Sequence, residues 1–63
     1  MEWIDVCKSF PSDNMHVLCY CNDICSSWYE VLYWDDDKWL WVDQEEREVP
    51  YIVTHWAQLT PPQ

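Results

Sequence analysis

The fold of this chain is decided by residues 28–42, which read WYEVLYWDDDKWLWV. Aromatic and branched residues on both sides of three aspartates are typical of two β-strands and the turn between them. We predict a hairpin with the three-residue loop Asp35–Asp37, in which Trp34 faces Lys38. Because the chain contains no glycine, Asp37 is expected to adopt the left-handed conformation that such a loop needs.

This register divides the hairpin between two faces of a sheet. The more aromatic face is the candidate core and contains Tyr29, Val31, Tyr33, Trp39 and Trp41. The other face contains Glu30, Leu32, Trp34, Lys38, Leu40 and Val42. Trp28, Trp34 and Trp41 cannot all point inward in this register. We therefore predict that Trp28 and Trp34 lie at the surface and contact a partner, as exposed tryptophans often do.

The remainder of the chain also has the pattern of strands. Short apolar segments occur around residues 3–6, 17–20 and 52–56, with turn-rich or charged segments between them. No segment has good amphipathic helical periodicity, and short connections favour antiparallel pairing. The sequence predicts one small β domain over residues 1–63. It is all-β, with β-rich α+β as the alternative, and has a single antiparallel sheet of about four strands around the central hairpin 28–42.

Composition excludes several classes of protein. The 63 residues include three basic and twelve acidic side chains, which gives a formal net charge of −9. A chain of this size has a thin core and little room for a deep catalytic cleft. Three basic residues neutralise few phosphates, so direct nucleic-acid binding is not expected. No apolar stretch is long enough for a membrane span, and no basic leader precedes an apolar run, so we expect neither a span nor a signal peptide.

Acidic residues are concentrated in one region of the chain. Seven of the twelve lie between positions 35 and 48: Asp35, Asp36, Asp37, Asp43, Glu45, Glu46 and Glu48. The predicted hairpin places them in two clusters at opposite ends of one strand. Such a surface either keeps a tryptophan-rich protein in solution or binds a basic surface of another protein, because carboxylates pair with arginine much as phosphates do. The spacing and the glycine of a calcium loop are missing.

The cysteines and histidines leave several interpretations open. Cys19, Cys21 and Cys25 together with His16 are candidate zinc ligands, although their spacing departs from the usual knuckle. A disulfide and free thiols in a reducing cytosol are the alternatives, and we predict no cofactor. His55 has no nearby residue in the sequence that can be named as its catalytic partner, so we do not expect an enzyme.

Several short motifs along the chain together resemble a known family. They are Trp3-Ile4-x-Val6, Phe10-Pro11, Val17-Leu18 and Val53-Thr54-His55-Trp56-x-x-Leu59-x-x-Pro62. In these residues the chain resembles the short phage and prophage proteins grouped as domain of unknown function 551, nearly end to end. The resemblance implies a phage or prophage origin and a cytoplasmic setting in an infected bacterium, and it implies no reaction. The four cysteines, the absence of glycine and the acidity depart from the family pattern.

These observations together predict a non-enzymatic phage accessory protein. It binds a basic surface of a host protein through acidic and aromatic residues, and it occludes a nucleic-acid-binding site as a nucleic-acid mimic that acts against host defence. The alternative is a small structural or interaction module stabilised by metal or thiols. Neither nucleic acid nor a membrane is an expected direct partner. A sheet with two apolar faces also favours a homodimer.

Overall fold

Five β-strands form one antiparallel sheet in the computed structural model, which describes residues 2–59. They are β1 (Ile4–Asp5), β2 (His16–Asn22), β3 (Ser27–Asp35), β4 (Leu40–Val42) and β5 (Ile52–Gln58). The predicted all-β class is confirmed, with five strands where about four were expected. The described range has no helix long and apolar enough to cross a membrane. Met1 and Pro62, which belong to the predicted domain, lie outside the described residues.

The strand order β1-β5-β2-β3-β4 explains where the core lies. Because β5 pairs between β1 and β2, residues 6–15 and 43–51 must both cross the sheet to connect their strands. Both connections contribute side chains to one face, where Val6, Met15 and Tyr51 pack against the buried cluster. We call this side the core face. The connections therefore cover one side of the sheet and give the small domain a second layer.

Alternation along the strands assigns side chains to the two faces. On β2 the side chains of Val17, Cys19 and Cys21 are fully buried, whereas the residues between them are half-buried. The pairing of Val17 with Leu32 places Leu32 on the same side. The opposite side, which we call the outer face, carries Leu18, Tyr20, Tyr29, Val31 and Tyr33. One face of the sheet thus holds the core, and the other presents apolar and aromatic groups at the surface.

The hairpin 28–42 forms, but the predicted register is wrong. Trp34 pairs with Trp41 and Asp35 pairs with Leu40, so the loop has four residues, 36–39, instead of three. The cause is the side chain of Asp35, whose Oδ1 accepts the backbone N–H groups of Asp37 and Lys38 at 3.1 and 3.0 Å. The turn therefore continues past the aspartates. The observed pairing differs from the predicted one by an odd number of residues, and such a shift moves every side chain of one strand to the opposite face.

The candidate core face was consequently the wrong one. Tyr29 and Trp39 are 63% and 65% exposed, whereas Trp34 is only 3% exposed. Trp34 and Trp41 both point inward, with their ring centroids 5.3 Å apart in an edge-to-face arrangement. Phe10, from the connection that crosses the core face, stacks on Trp34 at 4.1 Å. Aromatic packing of this kind stabilises a thin core that is short of aliphatic side chains.

Within residues 2–59 of this glycine-free chain, three residues adopt left-handed backbone conformations. They are Asn14, Trp39 and Glu46, with φ of 62°, 60° and 63°. The prediction that Asp37 adopts this conformation is wrong, because the loop ends two residues later, at Trp39. Asparagine tolerates the left-handed region, but tryptophan and glutamate do so only with strain. Two of these turns are therefore less stable than glycine would make them.

Substitution of Glu46 by glycine should stabilise the protein, because it removes the strain of the side chain at φ 63°. We expect Glu46→Gly to raise the free energy of unfolding by about 0.5–1 kcal/mol. The matched control is Glu45→Gly, which removes the same charge from an exposed neighbour whose φ is not positive. The control should lower stability through the added freedom of the unfolded chain. Urea unfolding measures both, and equal changes in the two variants would contradict the assignment of strain.

Candidate functional site

One acid of the first predicted cluster and two of the second line a single groove on the outer face. This groove has a volume of about 450 Å³ and is lined by Tyr33, Asp35, Lys38, Leu40, Val42, Glu46 and Glu48. The sequence placed the clusters at opposite ends of a five-residue strand. The strand β4 has only three residues, so Asp35 lines the same groove as Glu46 and Glu48. We call this the acidic groove.

The acidic residues around the groove also affect the pKa of Tyr33. Reduced hydration raises the pKa of this phenol, and the charges of Glu46, Asp35 and Asp43 raise it further. These three acids come from both sequence clusters, and all of them act on the phenol of Tyr33. Lys38 is the one basic side chain that lines the groove, and three carboxylates outnumber it. The groove therefore attracts cationic groups.

Two acids of the candidate site have a structural role in turns. Asp35 holds the hairpin loop, as described above. Asp43 repeats this arrangement, because its Oδ1 accepts the backbone N–H groups of Glu45 and Arg47 at 2.8 and 3.0 Å. Aspartate side chains stabilise turns by such bonds to nearby backbone. Replacing either residue would change the backbone as well as the charge.

The same device occurs in turns outside the candidate site. The Oδ1 of Asp23 accepts the backbone N–H groups of Cys25 and Ser26, and that of Asp5 accepts the N–H of Cys7. These hydrogen bonds are the largest cause of a lowered pKa at both carboxyl groups. Some of the acidic side chains of the protein therefore stabilise backbone turns.

Asp36 and Glu45 are engaged by neighbouring groups. Asp36 Oδ1 accepts the indole N–H of Trp34 at 3.2 Å, and the Asp36 backbone N–H donates to Asp13 Oδ1 at 2.8 Å. Glu45 forms an exposed ion pair with Arg47 at 2.8 Å, which contributes little to stability in water. Asp36 thus links the hairpin tip to residues 6–15, the connection between β1 and β2.

Three acids of the predicted set remain available to a partner. Within residues 2–59, no side-chain hydrogen bond or ion pair engages the carboxylates of Asp37, Glu46 and Glu48, and all three residues are exposed. Glu46 and Glu48 line the acidic groove, and Asp37 lies on the hairpin tip beside it. These are the acids whose charge can be changed with the least effect on the fold.

The structure changes which aromatic residues are candidates for the partner-binding site. Trp34 is in the core, so its side chain is removed from the candidate partner-binding residues. Trp28 is half-buried and packs edge-to-face against Tyr51 at 4.8 Å. The sequence missed Trp39, which was assigned to the core but lies exposed on the hairpin tip. The signal that favours its exposure is its position directly after the four charged residues 35–38.

His55 lies between two polar neighbours. Its Nδ1 lies 3.0 Å from the hydroxyl oxygen of Thr54, and its Nε2 lies 3.9 Å from Asp5 Oδ2. The second distance is too long for the hydrogen bond that orients histidine in a catalytic triad. Thr54 and Asp5 therefore flank the ring without forming a relay through it.

The four predicted zinc candidates do not converge. Cys19 and Cys21 are buried on the core face, Cys25 is exposed in the turn between β2 and β3, and His16 is exposed beside Tyr33. No group of three or more potential ligands within residues 2–59 is arranged to hold a metal ion. All four cysteines are free thiols. Burial raises the pKa of Cys19 to about 12 and that of Cys21 to about 11.

Comparisons with known proteins give no relative. No protein-family model matches the chain, and neither a curated protein nor a solved structure is significantly similar to it. The resemblance to the domain of unknown function 551 family therefore rests on the quoted residues and stays a prediction. Its most specific stretch, Val53 to Trp56, lies in β5 and contributes Val53 and Trp56 to the core.

Thiol chemistry should separate the cysteines into two pairs. In the native protein we expect Cys7 and Cys25 to react rapidly with a thiol reagent, because both are exposed. Cys19 and Cys21 should react only after unfolding, because buried thiols with a raised pKa yield little thiolate. Counting the labelled thiols by mass spectrometry, with and without denaturant, checks this. Four fast thiols in the native state would contradict the burial of the β2 cysteines.

The aspartate turns should make the protein sensitive to acid. The pKa values of Asp5 and Asp23 are lowered below the ordinary 3.8, so the unfolded state binds more protons than the folded state in that region. Their contribution to stability is present above about pH 4 and is lost as the pH falls through 3.8 and below. Urea unfolding from about pH 6 to about pH 2.5 measures this. Asp23→Asn keeps an acceptor oxygen and should flatten the profile. Asp37→Asn is the control for the loss of one carboxylate that accepts no hydrogen bond within residues 2–59.

Proposed function

We propose that this protein is a non-enzymatic binding module that occupies a basic surface of another protein through the acidic groove and the hairpin tip. The observation that carries the proposal is the convergence of Asp35, Glu46 and Glu48 from two sequence clusters on one groove. A surface that only solubilises the protein has no need for such convergence. Arginine and lysine side chains of the partner would pair with these carboxylates.

Trp39 supplies the apolar part of the contact. Its ring lies next to Phe10 and Trp34, with centroids 5.2 and 5.1 Å away, and it remains 65% exposed. Its neighbours thus hold the ring in place before a partner arrives, which reduces the entropy lost on binding. Tryptophans surrounded by charged groups are common anchors of protein interfaces.

The mechanism is occlusion. A net charge of −9 attracts a basic partner over a distance and makes association fast and sensitive to salt. Carboxylates then take the places of phosphates on lysine and arginine side chains, so nucleic acid is excluded from the occupied surface. No bond is made or broken, and no cofactor takes part.

The biological setting in this proposal is a phage or prophage protein in the cytoplasm of an infected bacterium. Support comes from the family resemblance of the quoted residues and from the mismatch between this acidic chain and nucleic acid itself. The partner is then a host protein with a basic nucleic-acid-binding surface, such as a defence nuclease. The protein acts as a nucleic-acid mimic that inhibits it.

Charge reversal in the acidic groove should abolish partner binding without unfolding the protein. The double variant Glu46→Lys with Glu48→Lys changes two acids that have no structural partner. Glu2→Lys with Glu45→Lys is the matched control, since it changes the net charge equally at exposed positions that do not line the groove. We expect the groove variant to lose at least about tenfold in affinity and the control much less.

The measurement is capture from a bacterial lysate at low and high salt, followed by mass spectrometry and binding assays with the recovered protein. The relevant partner is captured by the unchanged protein and by the control, is released by salt, and is competed by nucleic acid. Equal capture by the groove variant would show that the acidic groove is not the contact. Thermal unfolding of each variant verifies that the fold is intact.

A further inference from the structure

A second concave site lies on the outer face at the other end of the sheet. Trp3, Tyr20, Tyr29 and His55 line an open depression of about 280 Å³, which we call the aromatic box. The ring centroids of Trp3 and Tyr29 are 5.7 Å apart, and those of Tyr20 and Tyr29 are 5.3 Å apart. The ring planes are tilted by 34° and 50° and do not stack, so the rings do not cover one another. All four lining residues are aromatic.

Strand pairing builds the aromatic box. Tyr20 pairs with Tyr29 on one side and with His55 on the other, which forms a row across β3, β2 and β5. A bulge between β2 and β5 then pairs Cys21 with Val53, so that Thr54 is the extra residue. Without the bulge, Val53 and His55 would lie on the same face. With it, Val53 is buried in the core and His55 faces outward into the row.

The chemistry of the aromatic box suits a cation. Aromatic faces carry negative charge density, and several rings around one cavity are the usual way in which proteins recognise ammonium groups. The surroundings have the matching charge. An adjoining cavity of about 440 Å³ shares Trp3 and His55 and is lined by Glu2, Asp5 and Lys8, with Ile4 between them. Two carboxylates thus face one lysine at the rim, in a chain of net charge −9.

The lining also discriminates between kinds of ammonium group. None of the four lining residues carries a carboxylate, whereas a primary ammonium brings three N–H donors that need acceptors. A methylated ammonium has an apolar shell that fits aromatic rings and loses less hydration on entry. We propose that the aromatic box binds a quaternary or N-methylated ammonium group. This site is separate from the acidic groove, since Tyr29 and Tyr33 on β3 are about 14 Å apart at ~3.4 Å per residue.

Charge dependence of binding tests the assignment. Choline is compared with its uncharged isostere 3,3-dimethyl-1-butanol by titration of the ¹⁵N-labelled protein in NMR spectra. We expect saturable shifts of the Trp3 indole and of the Tyr20 and Tyr29 amides with choline, and binding of the isostere weaker by at least about fivefold. Equal binding of both compounds, or no response to choline, would overturn the proposal. A parallel titration uses N-acetyl-trimethyllysine amide. Tighter binding of this compound than of choline indicates a methylated protein side chain as the ligand, and tighter binding of choline indicates a free quaternary ammonium compound.

Two leucine variants localise the effect. Tyr29→Leu removes one ring of the aromatic box and should weaken choline binding at least about fivefold. Val31→Leu is the control, because Val31 lies on the same strand and the same face but lines neither the aromatic box nor the acidic groove, and this variant should bind choline normally. Amide spectra confirm the fold of both variants. If Tyr29→Leu folds poorly, Trp3→Leu replaces it, since Trp3 precedes the first strand. Unchanged binding in the box variant would overturn the assignment.

Discussion

The hydrogen bonds from the Asp35 carboxylate to the backbone of its own loop determine much of this structure. They extend the loop to residues 36–39 and thereby set the pairing of β3 with β4. That pairing places Trp34 opposite Trp41 on the core face, and it leaves Trp39 at the surface. Asp35 therefore holds the loop that separates the buried tryptophans from the exposed one, through this oxygen and through its backbone carbonyl, which accepts the N–H of Trp39 at 2.8 Å. In a chain without glycine, this kind of bond replaces the backbone freedom that turns usually exploit.

The same interaction divides the acidic residues into two classes. Asp5, Asp23, Asp35 and Asp43 each accept backbone N–H groups within a turn. The glutamates at positions 46 and 48 make no such bond and line the acidic groove. The single net charge of the composition thus consists of acids that hold turns and acids that line the groove, and Asp35 does both. Aspartate, with its short side chain, reaches the adjacent backbone, whereas the longer glutamate extends into solvent.

Sequence reasoning predicted the features that depend on local pattern. Aromatic and branched residues identified the sheet and the central hairpin, and the short connections identified the antiparallel pairing. The sequence did not predict the register. Lys38 and Trp39 have the composition of a strand end, and their place in the loop depends on hydrogen bonds to Asp35. The acidic residues of the groove were predicted from their density along the chain. Their convergence depends on the short β4, which follows from the register.

The aromatic box had no signal in the sequence at all. Its rings come from positions 3, 20, 29 and 55, and His55 reaches the outer face only because of a bulge. A bulge adds one residue to one strand and leaves no compositional mark when glycine is absent. Motif reasoning grouped His55 with its chain neighbours, whereas its partners in space belong to three other segments.

Both long connections cross the core face, and this has a consequence for how the protein can change over generations. Outer-face positions such as Tyr20 and Tyr29 hold no turn and do not belong to the buried cluster of the core face. The sheet can therefore acquire new contact residues one at a time while β2, β3 and β5 keep the same packing beneath. In a small sheet with such a division, the exposed side can vary largely independently of the side that folds.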